Sequence, residues 1–243
     1  MPRYSQNFLH SPKIRDKIVN LLSLSSEDRL LEIGPGKGFL TKALIKTSSV
    51  IAIETDERLL PYLQDLPITL IHADALDFPW ATLSFTKIVS NIPYHITKPL
   101  LLACAKNRDL FQKGVFMVQK EVAEKLCQEY AKSLFAAIMQ ATFSITSAFF
   151  VSKKHFSPAP KVDSAVIILF PKKESLLSDK SLYLLEKLYQ KKRKKIETTL
   201  RQEGITLSPL PKLLEHKRPD AVPIEALLRY LNELEIKSKK TAS

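Results

Sequence analysis

The chain has 243 residues, with 37 Lys and Arg against 25 Asp and Glu and a net charge of +12. This length allows one domain of ordinary size plus a small second one, with a core that needs no disulfide staples. Its two cysteines, Cys104 and Cys127, lack metal-ligand spacing, no apolar run approaches the about 18 residues of a membrane span, and Met1-Pro2-Arg3-Tyr4-Ser5 does not read as a secretory signal. Disulfide scaffolds, membrane proteins and secreted proteins are thereby excluded, and a reduced, cytoplasmic protein with no metal site is expected.

Residues 3–9 form a polar-aromatic lead-in, Arg-Tyr-Ser-Gln-Asn-Phe-Leu. A helix follows, with Ser11 as N-cap, Pro12 at the first helical position and apolar residues at 14, 18, 21 and 22. Arg29 to Ile33 reads as a buried strand, and Phe39 to Ile45 as a helix. Between them lies Gly34-Pro35-Gly36-Lys37-Gly38, which holds three of the five glycines in the chain. A chain so poor in glycine that concentrates it in one loop needs backbone freedom there.

Strand, glycine turn and helix open a doubly wound α/β sheet whose ligand crevice lies at the carboxyl end of the strand. The spacing is not that of a dinucleotide fingerprint, because Phe39 stands where the third glycine of G-x-G-x-x-G belongs. No G-x-x-x-x-G-K-[ST] phosphate loop is present. The E-x-G-x-G-x-G pattern beginning at Glu32 resembles the cofactor loop of S-adenosylmethionine-dependent methyltransferases.

The second strand, Val50 to Ile53, ends at Glu54, and Thr55 to Leu63 looks helical. A carboxylate at this strand tip can accept from both ribose hydroxyls of an adenosine. Asp56 and Glu57 compete for the role but suit helix capping better. Strand three, Ile68 to Ile71, leads into His72-Ala73-Asp74, where Asp74 can accept from an adenine amine.

Strand four, Lys87 to Ser90, runs into Asn91-Ile92-Pro93-Tyr94. Pro93 stiffens the turn and holds Ile92 extended. The Asn91 side-chain carbonyl and the Ile92 main-chain carbonyl are two acceptors for an amino group with two N–H donors. Tyr94 offers a flat face for a base.

Further on, Lys98 to Ala105, Glu121 to Glu129 and Leu134 to Phe143 read as helices. Val115 to Val118, Ile145 to Val151 and Val162 to Phe170 read as strands. Before the last strand, Phe156-Ser157-Pro158-Ala159-Pro160 is rigid and extended, and sets Phe156 to sandwich a base against Tyr94. From Glu174 on the character changes. Leu182, Leu185, Leu188 and Tyr189 mark a helix face, Lys191 to Lys195 is a basic run, prolines punctuate the rest, a last helix spans Ile224 to Leu234, and the tail is Lys-rich. Residues 1–150 carry 17 basic against 14 acidic side chains, while residues 151–243 carry 20 against 11. That asymmetry points to a polyanionic partner.

Together these stretches resemble the KsgA/RsmA family of 16S ribosomal RNA adenine dimethyltransferases. The likeness rests on Gln6-Asn7-Phe8-Leu9, Glu32 to Thr41, Ala73-Asp74-Ala75-Leu76, Asn91 to Tyr94, Gln119-Lys120-Glu121-Val122-Ala123, and Phe156 to Ser164. The Erm-type 23S methyltransferases share Gln-Asn-Phe-Leu and Asn-Ile-Pro-Tyr. Gly-Pro-Gly-Lys-Gly, Gln-Lys-Glu-Val-Ala and Pro-Lys-Val-Asp-Ser-Ala-Val lean towards KsgA. One stretch departs: Ala131 and Lys132 stand where the family has Gly and Arg, in a shortened loop.

The resemblance implies a Rossmann-like class I methyltransferase sheet at residues 1–173 and a small basic, RNA-binding helical domain at 174–243. It implies S-adenosylmethionine contacted by Asn7, Leu9, Gly34, Gly36, Glu54, Asp74 and Asn91. Asn91, Ile92, Pro93, Tyr94 and Phe156 would form the pocket for a flipped target adenine. The implied activity is N6,N6-dimethylation of two neighbouring adenines in 16S rRNA of the small ribosomal subunit, before that particle is mature, by a monomer. Two other readings stand beside it: an Erm-like enzyme on 23S rRNA, and a non-catalytic RNA-binding factor on the same fold. The intact Asn91 to Tyr94 turn favours catalysis.

Overall fold

A computed structural model describes residues 7–235. Arg3 to Gln6 of the lead-in and the Lys-rich tail lie outside the described residues. Contacts divide the chain into two compact units, one of Met1–Cys127 with Phe143–Pro171 and one of Gln128–Thr142 with Lys172–Ser243. The sequence suggested a contiguous split at 173/174; these units are discontinuous, and the segment 128–142 groups with the C-terminal residues.

The first unit begins with a two-residue strand β1 (Phe8–Leu9) and helix α1 (Pro12–Leu22). Ser11 occupies the N-cap position, but its hydroxyl makes no capping hydrogen bond, so Pro12 alone marks the start. Strand β2 (Arg29–Ile33) leads through the glycine turn to α2 (Thr41–Leu44), shorter than the Phe39 to Ile45 expected. Strands β3 (Ser49–Glu54), β4 (Thr69–His72) and β5 (Lys87–Asn91) follow, then α3 (Thr97–Lys106), β6 (Lys113–Gln119) and α4 (Lys120–Leu126). The expected helix after β3 is a 3-10 segment, Glu57–Tyr62. Pro61 has no N–H for an α-helical bond, and Asp56 caps the segment by accepting from Arg58 N–H at 3.1 Å.

In the second unit, α5 (Leu134–Thr142) ends where strand β7 (Phe143–Val151) of the first unit begins. Phe143, expected as the last helical residue, is therefore the first residue of the strand. Strands β8 (Phe156–Ser157) and β9 (Ser164–Pro171) complete the first unit. Seven strands form one sheet in the order β4-β3-β2-β5-β6-β9-β7. β4, β3, β2, β5 and β6 are mutually parallel, whereas β9 runs antiparallel to both β6 and β7. The order reverses direction at β2, between β3 and β5, which is where such sheets bind ligands. β1 pairs only with β8, Leu9 opposite Phe156, in a separate ribbon. Strands of two residues have no periodicity, so neither was legible in the sequence.

The parallel strands are apolar on both faces because helices cover both. Ile14, Ile18 and Leu22 of α1 pack with Leu30, Val89, Val115 and Val166 from the sheet. Elsewhere in the unit the rings of Phe85, Phe111 and Phe143 stack in series, with Trp80 edge-on to Phe85. Asp28, at the entry to β2, accepts from Lys87 Nζ at 2.8 Å and from Ser25 and Thr86. Burial opposes its ionisation, but these donors hold the carboxyl well below the usual carboxylate range.

The second unit adds α6 (Asp179–Gln190), α7 (Ile196–Gln202) and α8 (Ile224–Glu233) to α5. Ser178 and Ser181 form a reciprocal cap at the start of α6. Its apolar face, Leu184, Leu185 and Leu188, is fully buried, as are Leu227, Leu228 and Leu231 of α8. The departing stretch is structural here: the Ala131 carbonyl accepts from Tyr189 OH at 2.9 Å, and Lys132 Nζ donates to the Asp220 carbonyl at 2.7 Å. Among the described residues no helix is long and apolar enough to cross a membrane.

Candidate cofactor and adenine site

The carboxyl ends of β2, β3, β4 and β5 open into a cavity of about 430 Å³. Every residue expected to bind cofactor or substrate lines it: Asn7, Leu9, Gly34, Gly36, Glu54, Asp74, Asn91, Ile92, Pro93, Tyr94 and Phe156. The structure thus brings together residues spread over 150 positions of the sequence.

The glycine turn makes the floor. Gly34, Gly36 and Gly38 all have positive φ, at +67°, +61° and +75°. That is the left-handed region where a Cβ is strained. A Cβ at Gly36 would come within 3.2 Å of the Phe8 ring, so this glycine also lets β1 close down on the turn. Lys37 Nζ lies 5.0 Å from the Phe8 ring centroid and 5.4 Å from that of Tyr62, bridging the two aromatics. The space in front of Gly34 is open within 4 Å.

Glu54 ends β3 and is buried. Its Oε2 accepts from Gly36 N–H at 3.0 Å and its Oε1 from Asp56 N–H at 2.9 Å. Each oxygen keeps a lone pair for a further donor, so the carboxylate is held and still able to accept from two hydroxyls. Asp56, the nearby competitor, is occupied by its cap and by a bidentate pair with Arg58. Asp74 is exposed just past β4, and its Oδ1 accepts from Leu76 N–H at 2.9 Å.

Glu32 is the residue the sequence reading passed over. It sits in β2 one position before Ile33, is 1 % exposed, and lines the cavity. Its Oε2 has no hydrogen-bond partner. Burial pushes its carboxyl up to about 7, with the nearby Thr41 hydroxyl opposing the shift and the charge of Glu54 adding to it. The available signal was an acidic residue inside an otherwise apolar strand, directly before the glycines.

On the other side of the cavity, Asn91 ends β5 half-buried and Ile92 N–H donates to the Met117 carbonyl at 3.2 Å. The Ile92 carbonyl accepts no hydrogen bond among the described residues. The Tyr94 hydroxyl shares a 2.8 Å hydrogen bond with Ser164 Oγ, which fixes the ring, and burial raises its pKa. Phe156 is only 5 % exposed and packs with Leu9, Ile14 and Val166. It reaches the cavity as part of the core wall, so little of its ring is open to sandwich a base.

S-adenosylmethionine fits what is present. A cationic sulfonium and ammonium suit a cavity with a buried carboxyl whose Oε2 has no hydrogen-bond partner. A nucleoside suits the side-chain-free turn with the Glu54 carboxylate behind it. Glu32, Gly34, Gly36, Glu54 and Asp74 are the residues that would hold it.

Comparison with known proteins agrees. A sequence model of the family described as "Ribosomal RNA adenine dimethylase" matches residues 1–235. The chain is 36% identical over 217 residues to a ribosomal RNA small subunit methyltransferase A of Hahella chejuensis, covering 82% of this chain and 80% of that one. Its fold matches a dimethyladenosine transferase from Plasmodium falciparum with a TM-score of 0.80 and 26% identity, over 93% of this chain and 96% of the other. It also matches the 23S rRNA methyltransferase ErmE with a TM-score of 0.76 and 25% identity, over 93% and 98%.

Proposed function

The chain belongs to the ribosomal RNA adenine dimethylase family and is an S-adenosylmethionine-dependent rRNA adenine methyltransferase, and on that premise we propose that it dimethylates N6 of two adjacent adenines in the 16S rRNA of the small ribosomal subunit. The observation that carries this is the shared cavity: the Asn91–Tyr94 turn and the glycine turn face one space at the ends of β5 and β2. Relatives named for the small subunit favour that substrate over the large-subunit RNA.

The cofactor supplies a methyl group already activated by the sulfonium charge. What remains for the chain is to bind, orient and dry a weak nucleophile. Asn91 Oδ1 and the Ile92 carbonyl accept the two N6 hydrogens and draw the nitrogen lone pair out of the ring and onto the methyl. Tyr94, held by Ser164, stacks on the extruded base. Positioning and electrostatics suffice for the transfer: each methyl gained by N6 displaces one N6 proton, which leaves to solvent without a paired general base, and in the second transfer the one remaining N–H donates to one of the two acceptors. The first unit holds cofactor and adenine, and the basic second unit grips RNA phosphates. The protein works as a cytoplasmic monomer on an immature small subunit.

The test is transfer of labelled methyl from S-adenosylmethionine to unmethylated small and large subunits, with modified nucleosides identified by mass spectrometry. N6,N6-dimethyladenine in small-subunit RNA is expected. Label confined to large-subunit RNA reassigns the substrate. Absence of label on either, with cofactor bound, turns the protein into a binding factor.

A further inference from the structure

Around the end of the sheet that carries Asn91 lies a second feature that the cofactor and adenine pocket does not use. Phe150 is 57 % exposed near the end of β7, unusual for a strand phenylalanine. Lys120 Nζ sits 4.9 Å from its ring centroid. Beside it is a shallow depression lined by three lysines, Lys120, Lys153 and Lys161, and three acids, Glu121, Glu124 and Asp163, with Val162. Val162 is also exposed, at 44 %.

Three details show that this surface is built. A register shift between Ser147 and Phe149 bends β7 and sets Phe150 opposite Ala165 and Val151 opposite Ser164. Bulges of this kind re-aim side chains beside functional sites. Asp163 ties the depression together, since its carbonyl accepts from Lys120 N–H at 3.0 Å and its Oδ1 from Lys153 N–H at 2.9 Å. The acids offset the cations only in part: Asp163 Oδ1 accepts from backbone, Glu121 pairs with Lys125 at 2.6 Å, and Lys153 and Lys161 are in no ion pair among the described residues. Lys120 has only a loose contact with Glu124, at 3.7 Å.

The depression adjoins the reaction site. Asp163 precedes Ser164, the residue bonded to Tyr94. β9 lies two strands from β5 and β7 three, so at about 4.8 Å per strand Phe150 stands roughly 14 Å along the sheet from Asn91. At the about 3.4 Å per nucleotide of a stacked DNA strand, taken as a scale, the patch lies within a few nucleotides of a target adenine. An exposed aromatic face with lysines around it is what binds single-stranded nucleic acid: bases stack and ammonium groups take phosphates.

We propose that Phe150, Lys120, Lys153 and Lys161 form a subsite for RNA flanking the target adenine, with a neighbouring base stacked on Phe150 and its phosphates on the lysines. This rests on the rRNA reading above. The patch lies in the first unit, so a strand held here is anchored to the body that carries the chemistry.

The test measures binding of unmethylated small-subunit rRNA by the full chain as salt is raised, alongside cofactor affinity and methyl transfer. Phe150→Ala weakens RNA binding about tenfold, within the range for one base–aromatic stack, and Phe150→Trp restores it. Lys153→Ala with Lys161→Ala lowers the slope of log affinity on log salt by about 1.4, two phosphate contacts at about 0.7 each. Cofactor affinity stays at the wild-type value in every variant, which shows the fold intact. Wild-type RNA affinity and salt slope in these variants overturn the subsite. A wild-type protein that binds this RNA without methylating it strikes the substrate reading instead, and the two failures are read in separate assays.

Discussion

The main-chain N–H of Gly36 donates a 3.0 Å hydrogen bond to Oε2 of Glu54, joining the glycine turn after β2 to the tip of β3. One carboxylate thereby sets the shape of the turn and presents its remaining lone pairs to the cavity.

Glu54→Ala removes both roles. The two bonds from Gly36 and Asp56 belong to the fold and their loss lowers the melting temperature, whereas the lost acceptors for two ligand hydroxyls, each a hydrogen bond to a charged group, are worth about 3 kcal/mol in binding. Titration calorimetry with S-adenosylmethionine then gives a dissociation constant raised about 100-fold. Glu54→Gln loses most of this too, since its amide nitrogen cannot accept from a backbone N–H. A change smaller than threefold in Glu54→Ala removes Glu54 from the cofactor site.

Glu32 supplies the pH dependence. Its carboxyl is raised from 4.5 to about 7 by burial, with the charge of Glu54 adding to it. A raised pKa means that this residue contributes stability to the empty protein below pH 4.5, which is lost as pH rises through about 7. A cationic ligand beside the same carboxyl reverses the preference and favours ionisation. Cofactor affinity therefore rises as the pH climbs towards about 7 and levels off above it, while thermal stability without cofactor falls between pH 4.5 and about 7. Glu32→Gln flattens both trends and binds cofactor more weakly at pH 8. Unaltered pH profiles in Glu32→Gln show that the carboxyl is not the titrating group.

How far the sequence reached depends on whether each feature is local. The glycine turn was legible because Gly34, Pro35, Gly36 and Gly38 state their backbone demands themselves. Glu54 could be told from Asp56 because a strand tip and a helix cap leave different patterns around them. The 3-10 segment at Glu57–Tyr62 has the sequence pattern of an α-helix, because its apolar residues keep a helical spacing, and Pro61 is the one local sign against it. β1 and β8 exist only by pairing with each other, Phe8 opposite Ser157, 149 positions apart in the chain. The raised carboxyl of Glu32 comes from burial by distant segments, and the grouping of Gln128–Thr142 with the C-terminal residues comes from packing. None of these leaves a local trace.

Asn91 separates binding from chemistry. Its side-chain carbonyl is asked to act on N6 of the adenine, whereas most of the residues proposed to hold the cofactor lie at the ends of β2, β3 and β4. Removing one preorganised acceptor costs about 10²- to 10³-fold in turnover by analogy with a lost oxyanion donor. Asn91→Ala is expected to show that loss in single-turnover methyl transfer, with cofactor affinity within a few-fold of wild type. Turnover preserved in Asn91→Ala assigns the N6 contacts to the main chain alone.

The basic run of the second unit needs dissecting before it is tested. Lys191 is engaged with Glu203 at 2.7 Å, and Lys194 donates to Gln202 at 3.0 Å. Lys192, Arg193 and Lys195 are exposed and have no carboxylate partner among the described residues. Lys192 Nζ donates to the Lys132 carbonyl at 3.3 Å, which leaves its charge unneutralised, so these three are the cations of the run available to phosphate. Replacing them with Glu is expected to weaken rRNA binding in low salt and to reduce the steepness of its salt dependence, since fewer counterions are released. Lys191→Glu acts differently: it sets two carboxylates against each other where α6 and α7 meet Glu203, and lowers the melting temperature with a smaller change in salt slope. Filter binding across a salt series and thermal melts of both variants make the comparison. A salt slope equal to wild type in the triple variant moves the phosphate contacts of this unit elsewhere on its surface.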